Sequence, residues 1–427
     1  MLRYVEQIWR SPDLRRRVLA TLGILVIYRI VAHIPVPGTS PEAFNQFLDS
    51  RAGAGVLGIF SALTGGNLDN FSVAMLGLSP YINASIIVQL CTVIFPRLEA
   101  LSKEGAQGQQ QLNRYTRWLS LPLAFLQSYG FLILLDRSGV QLLDLSFPNA
   151  LLPMLFVTAG CVFLMWLGEL ITEKGIGNGT SLLIFTGIVT EMPMRIGSIL
   201  MAGETKAGPF AFFAVVSLVL LVAVVLFTDA HRLIPITYAN QGAGRGVQGG
   251  IPIRLNQAGM IPIIFAISLI TFPTIIAQFL APVQRPWVQD MIRFLNTHFN
   301  SETPGWLYIV LYFALIVLFT FFYVSVTFRP QELSETIQKR GGFVPGMRPG
   351  PQTAAMLART STRLNLWGGV FLGVIAVIPL LFTKYTTLSS ADLIISGSGM
   401  IIVVGVVMEL IRQVNAQMLA HDYEKLV

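Results

Sequence analysis

Apolar positions along this chain gather into ten long runs, near residues 18–34, 71–95, 118–135, 150–168, 180–200, 209–228, 257–280, 305–327, 364–383 and 393–411, with polar, glycine- and proline-marked breaks between them. The runs are continuous rather than confined to every third or fourth position, so each is hydrophobic on all sides. A helix needs about 20 apolar residues to cross about 30 Å of hydrocarbon, and each run approaches that length. The pattern predicts ten membrane-spanning helices. The first is retained rather than cleaved: Arg15, Arg16 and Arg17 precede it, but it ends in His33-Ile-Pro-Val-Pro37 without a small-residue cleavage site.

Composition removes the soluble alternative. Of the 427 residues 53% are hydrophobic and only 12% charged, where soluble domains carry about 25% charge. The net charge of +7 follows from orientation. With the N-terminus in the cytosol, Arg3, Arg10, Arg15–Arg17, Arg97, Lys103, Arg114, Arg117, Lys174, Arg232, Arg245 and Arg254 fall inside. So do Arg329, Lys339, Arg340, Arg348, Arg359, Arg363, Arg412 and Lys425, while Arg51, Arg137, Arg195, Lys206, Arg285, Arg293 and Lys384 fall outside. This cytoplasmic excess of about three to one predicts an even span number with both termini in the cytosol. Nucleic acid is not needed to explain the charge, although contact with ribosomal RNA stays compatible with it.

Catalytic chemistry finds no footing. There is no G-x-x-x-x-G-K-[ST] loop and no H-E-x-x-H, and His33, His231, His298 and His421 are scattered, so neither a cofactor nor a metal is expected. The glycine-rich stretches Gly175–Gly179 and Gly242–Gly246 follow no strand of a βαβ unit and are read as turns between spans. Cys91 and Cys161 lie inside apolar runs and imply no disulfide. Arg29, Asp136, Glu169, Glu191, Asp229 and Glu409 all lie toward the ends of their runs, which disfavours an ion-coupled carrier or an intramembrane protease. A solute carrier built on inverted repeats is the competing class.

One segment departs from simple spans. Residues 53–66, Gly-Ala-Gly-Val-Leu-Gly-Ile-Phe-Ser-Ala-Leu-Thr-Gly-Gly, are mildly apolar, rich in glycine and too short to cross. They read either as a re-entrant half-helix, which requires a lumen to face, or as a helix lying on the outer surface. Five runs precede the loop near residue 205 and five follow it. An odd number per half forces inverted topology, with halves 1–204 and 205–427 clasping a pathway.

Specific motifs then carry a resemblance. Leu78-Ser-Pro-Tyr-Ile-Asn-Ala-Ser-Ile86, Trp166-Leu-Gly-Glu-Leu-Ile-Thr-Glu-Lys-Gly-Ile-Gly-Asn-Gly-Thr180, Asn256-Gln-Ala-Gly-Met-Ile-Pro262 with Phe272-Pro273, and Gly342-Phe-Val-Pro-Gly-Met-Arg-Pro-Gly350 with Gln352-Thr353 occur in that order. They resemble signature stretches of the SecY family, from the first helix to Ile411. The expected fold is thus an all-α polytopic membrane protein, with ten transmembrane helices in two inverted five-helix halves and a re-entrant plug half-helix.

The resemblance implies a channel in a bacterial inner membrane that passes unfolded secretory proteins and releases hydrophobic segments sideways into lipid. It implies a plug at residues 53–66, including Leu57, Ile59, Phe60 and Leu63, and an apolar pore ring of Leu78, Ile82, Ile184, Ile264 and Ile402. At Thr180 the chain is polar where many relatives have isoleucine. A lateral gate is implied between the second and seventh spans, carrying Asn83, Gln89 and Thr92 on one side and Ser268 and Thr271 on the other; such groups can hydrogen-bond across a closed seam. Implied partners are SecE-like and SecG-like membrane subunits, the SecA ATPase, the ribosome, signal peptides and nascent chains. The cytosolic loops at about 229–256 and 329–363 are the implied landing surfaces, with Arg245, Arg340 and Arg348 as contacts. Relatives often carry more basic residues near 107–111 and 240–246.

Overall fold

The computed structural model describes residues 11–37, 72–137, 149–201, 204–238, 248–280, 283, 285–299, 304–385 and 397–424. Every expected run has its helix: α1 Pro12–Ala32, α2 Ser79–Ile94, α4 Ala106–Arg137, α5 Leu151–Lys174, α6 Gly179–Met201, α7 Glu204–Asp229, α8 Ile261–Leu280, α10 Trp306–Thr327, α12 Pro351–Tyr385 and α13 Gly397–Glu424. Helix is the form that satisfies every backbone polar group within one segment where no water is available. Among the described residues, five stretches are long and apolar enough to cross a membrane by themselves, four within α5, α7, α12 and α13 and one, Trp306–Lys339, that begins with α10.

The second run is not one straight span. Residues 73–78 are turns, and helix begins only at Ser79. It ends at Phe95, whose extended backbone (φ −103°, ψ 115°) is what a following proline enforces. Pro96 then opens α3, Pro96–Lys103, at 103° to α2. Proline also occupies the first turn of α1 and α2, where its missing N–H is no loss.

Three features add to the helical plan. The stretch after α7 forms strand β1, His231–Tyr238, paired antiparallel with β2, Gln248–Arg254, in the register Ile234 to Ile251 and Pro235 to Gly250. A short β3, Gly342–Phe343, joins the other edge of β1 at Thr237 and Tyr238 only, so Pro235, which cannot donate to a ladder, meets no third strand. Helix α11, Pro330–Lys339, lies beside this sheet, and Ile234, Ile236, Ile253, Ile337, Val344 and Leu357 close a small core between them. At the opposite end of the bundle, α9, Pro286–His298, packs Val288 and Ile292 against Ala277 of α8.

The core divides in two. One cluster joins α7, α8, α10, α12 and α13 around Ile263, Ala266, Ile270, Ile316, Leu372 and Ile401. The other joins α1, α5 and α6 to the first turns of α2 and α8 and to α13. In chain order α1–α6 form an N-terminal set of helices and α7–α13 a C-terminal set. The two sets meet along α2 and α4 against α8 on one side, and along α6 against α7 and α13 on the other.

Candidate functional site

The five residues expected to form a ring come from α2 and the turn before it, α6, α8 and α13, and they fall in one apolar cluster. Leu78, Ile184 and Ile402 are buried, while Ile82 and Ile264 pack partly buried against them. Local chemistry explains two of these placements. Gly160 of α5 lies so close to the backbone of Val73 that an added Cβ would stand 2.0 Å from the Val73 carbonyl oxygen. That contact seats the turn leading to Leu78. The start of α6 is set by Asn178, whose Oδ1 accepts hydrogen bonds from the Thr180 N–H at 3.1 Å and the Ser181 N–H at 3.3 Å, as a helix-capping side chain does. The Thr180 hydroxyl also donates to Asn178 Oδ1, at 2.6 Å. Thr180 therefore belongs to the cap, and its polar character there has a local structural use. Gly179 permits the approach of α6 to α5: a Cβ would stand 1.9 Å from the Gly168 carbonyl oxygen.

Met260, just before α8, is 7% exposed and joins the same cluster. Sequence reading missed it as a collar neighbour, although it stands inside one of the quoted motifs.

The seam between α2 and α8 is apolar in its joining contacts. Ile86 of α2 packs with Ile263, Ala266 and Ile270 of α8. The hydroxyls expected to bridge the seam are turned onto their own helices. Thr92 donates to the Gln89 carbonyl at 2.6 Å, Gln89 Nε2 donates to Ser85 Oγ at 3.4 Å, and Thr271 donates to the Ile267 carbonyl. Asn83 is half-buried and Ser268 buried, and among the described residues no side-chain hydrogen bond joins α2 to α8. A hydroxyl in a helix finds the carbonyl one turn back at almost no cost in entropy, which wins over a bond that must hold two helices in register. Helix α4 also lines this seam, a participant that sequence reading did not assign.

Ionic contacts tie neighbouring helices together. Arg117 of α4 and Glu169 of α5 pair at 2.6 Å. Arg412 of α13 donates from Nη2 to the Thr228 carbonyl at 2.8 Å and to Asp229 Oδ1 at 3.2 Å. This ties α13 to the base of the hairpin. The Arg254 guanidinium, beside it, is held below its ordinary pKa, first by burial and then by the neighbouring Arg412 charge, with Glu409 and Asp229 opposing.

The residues expected to contact partners sit at the same end. Arg340 and Arg348 are exposed and have no ion-pair partner among the described residues. The loop carrying Arg348 is nonetheless fixed, because Thr353 donates to the Arg348 carbonyl at 3.1 Å and Ser334 to the Gly350 carbonyl at 2.8 Å. Arg245 and the plug positions Leu57, Ile59, Phe60 and Leu63 lie outside the described residues. Among the described residues no group of three His, Cys, Asp or Glu side chains is arranged to hold a metal.

A family model described as SecY matches residues 72–411. The chain is 38% identical to a protein translocase subunit SecY of Streptomyces scabiei, over 99% of each chain. It is 39% identical to the protein translocase subunit SecY of Mycobacterium tuberculosis, over 97% of each. Among solved structures, a protein-conducting channel superposes with a TM-score of 0.67 at 17% identity, over 94% of this chain and 92% of that one. The Sec61 chain of a canine ribosome–channel complex gives 0.66 at 18% identity, with the same coverage.

Proposed function

The chain belongs to the SecY family, and from that membership we propose that it is the central pore-forming subunit of a protein-translocation channel. It is a multi-pass membrane protein whose pathway runs between its two sets of helices. The observation that best supports the reading is the convergence of Leu78, Ile82, Ile184, Ile264 and Ile402 on one apolar cluster where those two sets meet. A dry aliphatic collar excludes water and ions when closed and can yield around chains of any sequence, because no hydrogen bond must be matched. In this reading residues 53–66 plug the lumen from the outer side, and residues 1–204 and 205–427 act as inverted halves.

The seam of α2 and α4 against α8 is the lateral gate. Its apolar closure suits the task, since parting it exchanges protein contacts for lipid contacts at little cost. A passing segment that samples the gap gains about 0.3–0.6 kcal/mol per leucine and loses about 2.5–3.5 kcal/mol per central charge. Ten leucines therefore gain about 3–6 kcal/mol, enough to sort signal sequences and membrane spans from soluble chain.

The channel is no enzyme, and the driving force comes from outside it. The surface formed by the β1–β2 hairpin, α11 and the Arg348 loop receives the SecA ATPase and the ribosome, through Arg245, Arg340 and Arg348. SecE-like and SecG-like subunits complete the complex in a bacterial inner membrane, with both termini in the cytosol. The test is reconstitution of the purified complex in vesicles with SecA, ATP and a labelled precursor. Protease-protected precursor is the expected result; uptake of a small solute without protected precursor would favour the carrier class instead.

A further inference from the structure

The chain between the hairpin and the gate helix α8 forms an elbow with its own fastening. Leu255 follows the last residue of β2, and its N–H donates to the Ala230 carbonyl at 2.9 Å, which holds the elbow to the root of β1. Gly259 turns the chain in the left-handed region (φ +64°) with open space where a Cβ would stand, and α8 begins two residues later. Between these points Gln257 is strapped to a distant helix. The Ser361 hydroxyl of α12 donates to Gln257 Oε1 at 2.9 Å, and Asn365 Nδ2, one turn on, donates to Ser361 Oγ at 3.4 Å.

The same face of α12 touches the elbow again at Gly368, where a Cβ would stand 2.9 Å from the Leu255 carbonyl oxygen. Residues 361, 365 and 368 share one helix face, so the strap and the close approach are one contact surface. Beyond the elbow, Met260 enters the collar cluster. The elbow thus stands between the partner-facing sheet and the first turn of the gate helix.

The strap is polar and only half satisfied. Asn365 is 4% exposed and Asn256 8% exposed, and among the described residues Asn365 Oδ1, Asn256 Oδ1 and Gln257 Nε2 have no hydrogen-bond partner. A buried network in that condition holds a position less firmly than a fully paired one. A small displacement of the sheet is therefore enough to exchange its bonds.

We propose that the Gln257–Ser361–Asn365 strap is a positioning device that fixes the root of α8 and sets how hydrophobic a signal must be to part the seam. This rests on the lateral-gate reading above. The experiment uses the complete channel complex in vesicles with SecA and ATP, and two precursors that differ only in having a full or a shortened apolar signal core. Ser361→Ala removes both strap bonds. It is expected to raise translocation of the shortened-signal precursor relative to the full-signal one by about three- to tenfold, the range that one net hydrogen bond covers.

Gln257→Leu should give the same ratio, and the double variant no more than either single one, because all three break one coupled unit. An unchanged ratio in Ser361→Ala and Gln257→Leu, with both proteins assembled and active, overturns the proposal. So does a double variant whose effect is the product of the single ones. A photoreactive residue in the signal core separates this from failure of the gate itself. If it never crosslinks to α2, α8 or lipid in the parent channel, the gate reading falls, and the strap with it. Crosslinks present with an unchanged ratio discard the strap alone.

Discussion

Replacing Ile402 by asparagine tests the collar where its physics is simplest. Ile402 is 3% exposed, and its cluster partners Leu78, Ile184, Met260 and Val406 offer no hydrogen-bonding side chain. In the closed state the substitution forfeits about 1.5–3 kcal/mol of apolar burial and leaves a buried amide unpaired, at about 1–3 kcal/mol. In an open, wetted collar the amide is hydrated and neither loss applies. Local relaxation recovers part of the total, so the closed state should lose about 3 kcal/mol relative to the open one, close to a 100-fold shift in the equilibrium. The assay is single-channel and macroscopic conductance of purified complex in planar bilayers, beside Ile402→Leu, which keeps volume and apolarity. The asparagine variant should leak ions in the absence of any precursor, while the leucine variant matches the parent. Equal conductance of all three proteins would refute the collar assignment.

Other perturbations address separate parts of the account. Arg348→Glu should abolish SecA-driven translocation while expression and membrane insertion persist, because the guanidinium is exposed, has no ion-pair partner among the described residues, and its backbone is held by Thr353; unchanged translocation removes Arg348 from the partner surface. Gly160→Ala must push α5 off the Val73 backbone, 2.0 Å from the added Cβ, and should cost about 1–3 kcal/mol in thermal stability in detergent. Gly23→Ala, with nothing within 4 Å and inside α1, should leave the midpoint unchanged or slightly raised in the same assay, since alanine is the better helix former. Arg412→Ala breaks the tie from α13 to Thr228 and Asp229. Because Asp229 is mostly exposed, the loss should be about 1 kcal/mol, read as a lowered thermal midpoint of the assembled complex.

The spans were legible because each needed only a run of apolar residues, and 305–327 or 209–228 could be little else. The bend at Phe95 was legible in principle, since Pro96 forces it, but a hydropathy run continues straight through residues 71–95 and hides the fact that helix starts at Ser79. The hairpin escaped notice because the inward alternation of Ile234 and Ile236 is interrupted by Pro235, and its partners Ile251 and Ile253 lie beyond a glycine-rich stretch that reads as loop. Helix α9 was missed for a different reason. Val288 and Ile292 mark an amphipathic face four residues apart, too short and too polar to register as a span.

The meeting of these five side chains in one cluster is a tertiary matter. Nothing local separates Ile82 or Ile264 from the many aliphatic residues that pack between helices; only the motifs brought them forward, and their meeting depends on Gly160, Gly179 and the Asn178 cap holding helix ends in place. The hydroxyls of Thr92 and Thr271 show the opposite limit. Sequence offers them as seam bridges, and one-turn-back bonding within each helix claims them first.

The most direct test of the channel reading is depletion of this protein from its own cell, followed by a short pulse of labelled amino acid and immunoprecipitation of secretory precursors. Uncleaved precursors should accumulate in the cytosol within the depletion time and be matured again when the protein is restored. Precursors that continue to mature at the undepleted rate, with the protein gone from the membrane, would contradict the account.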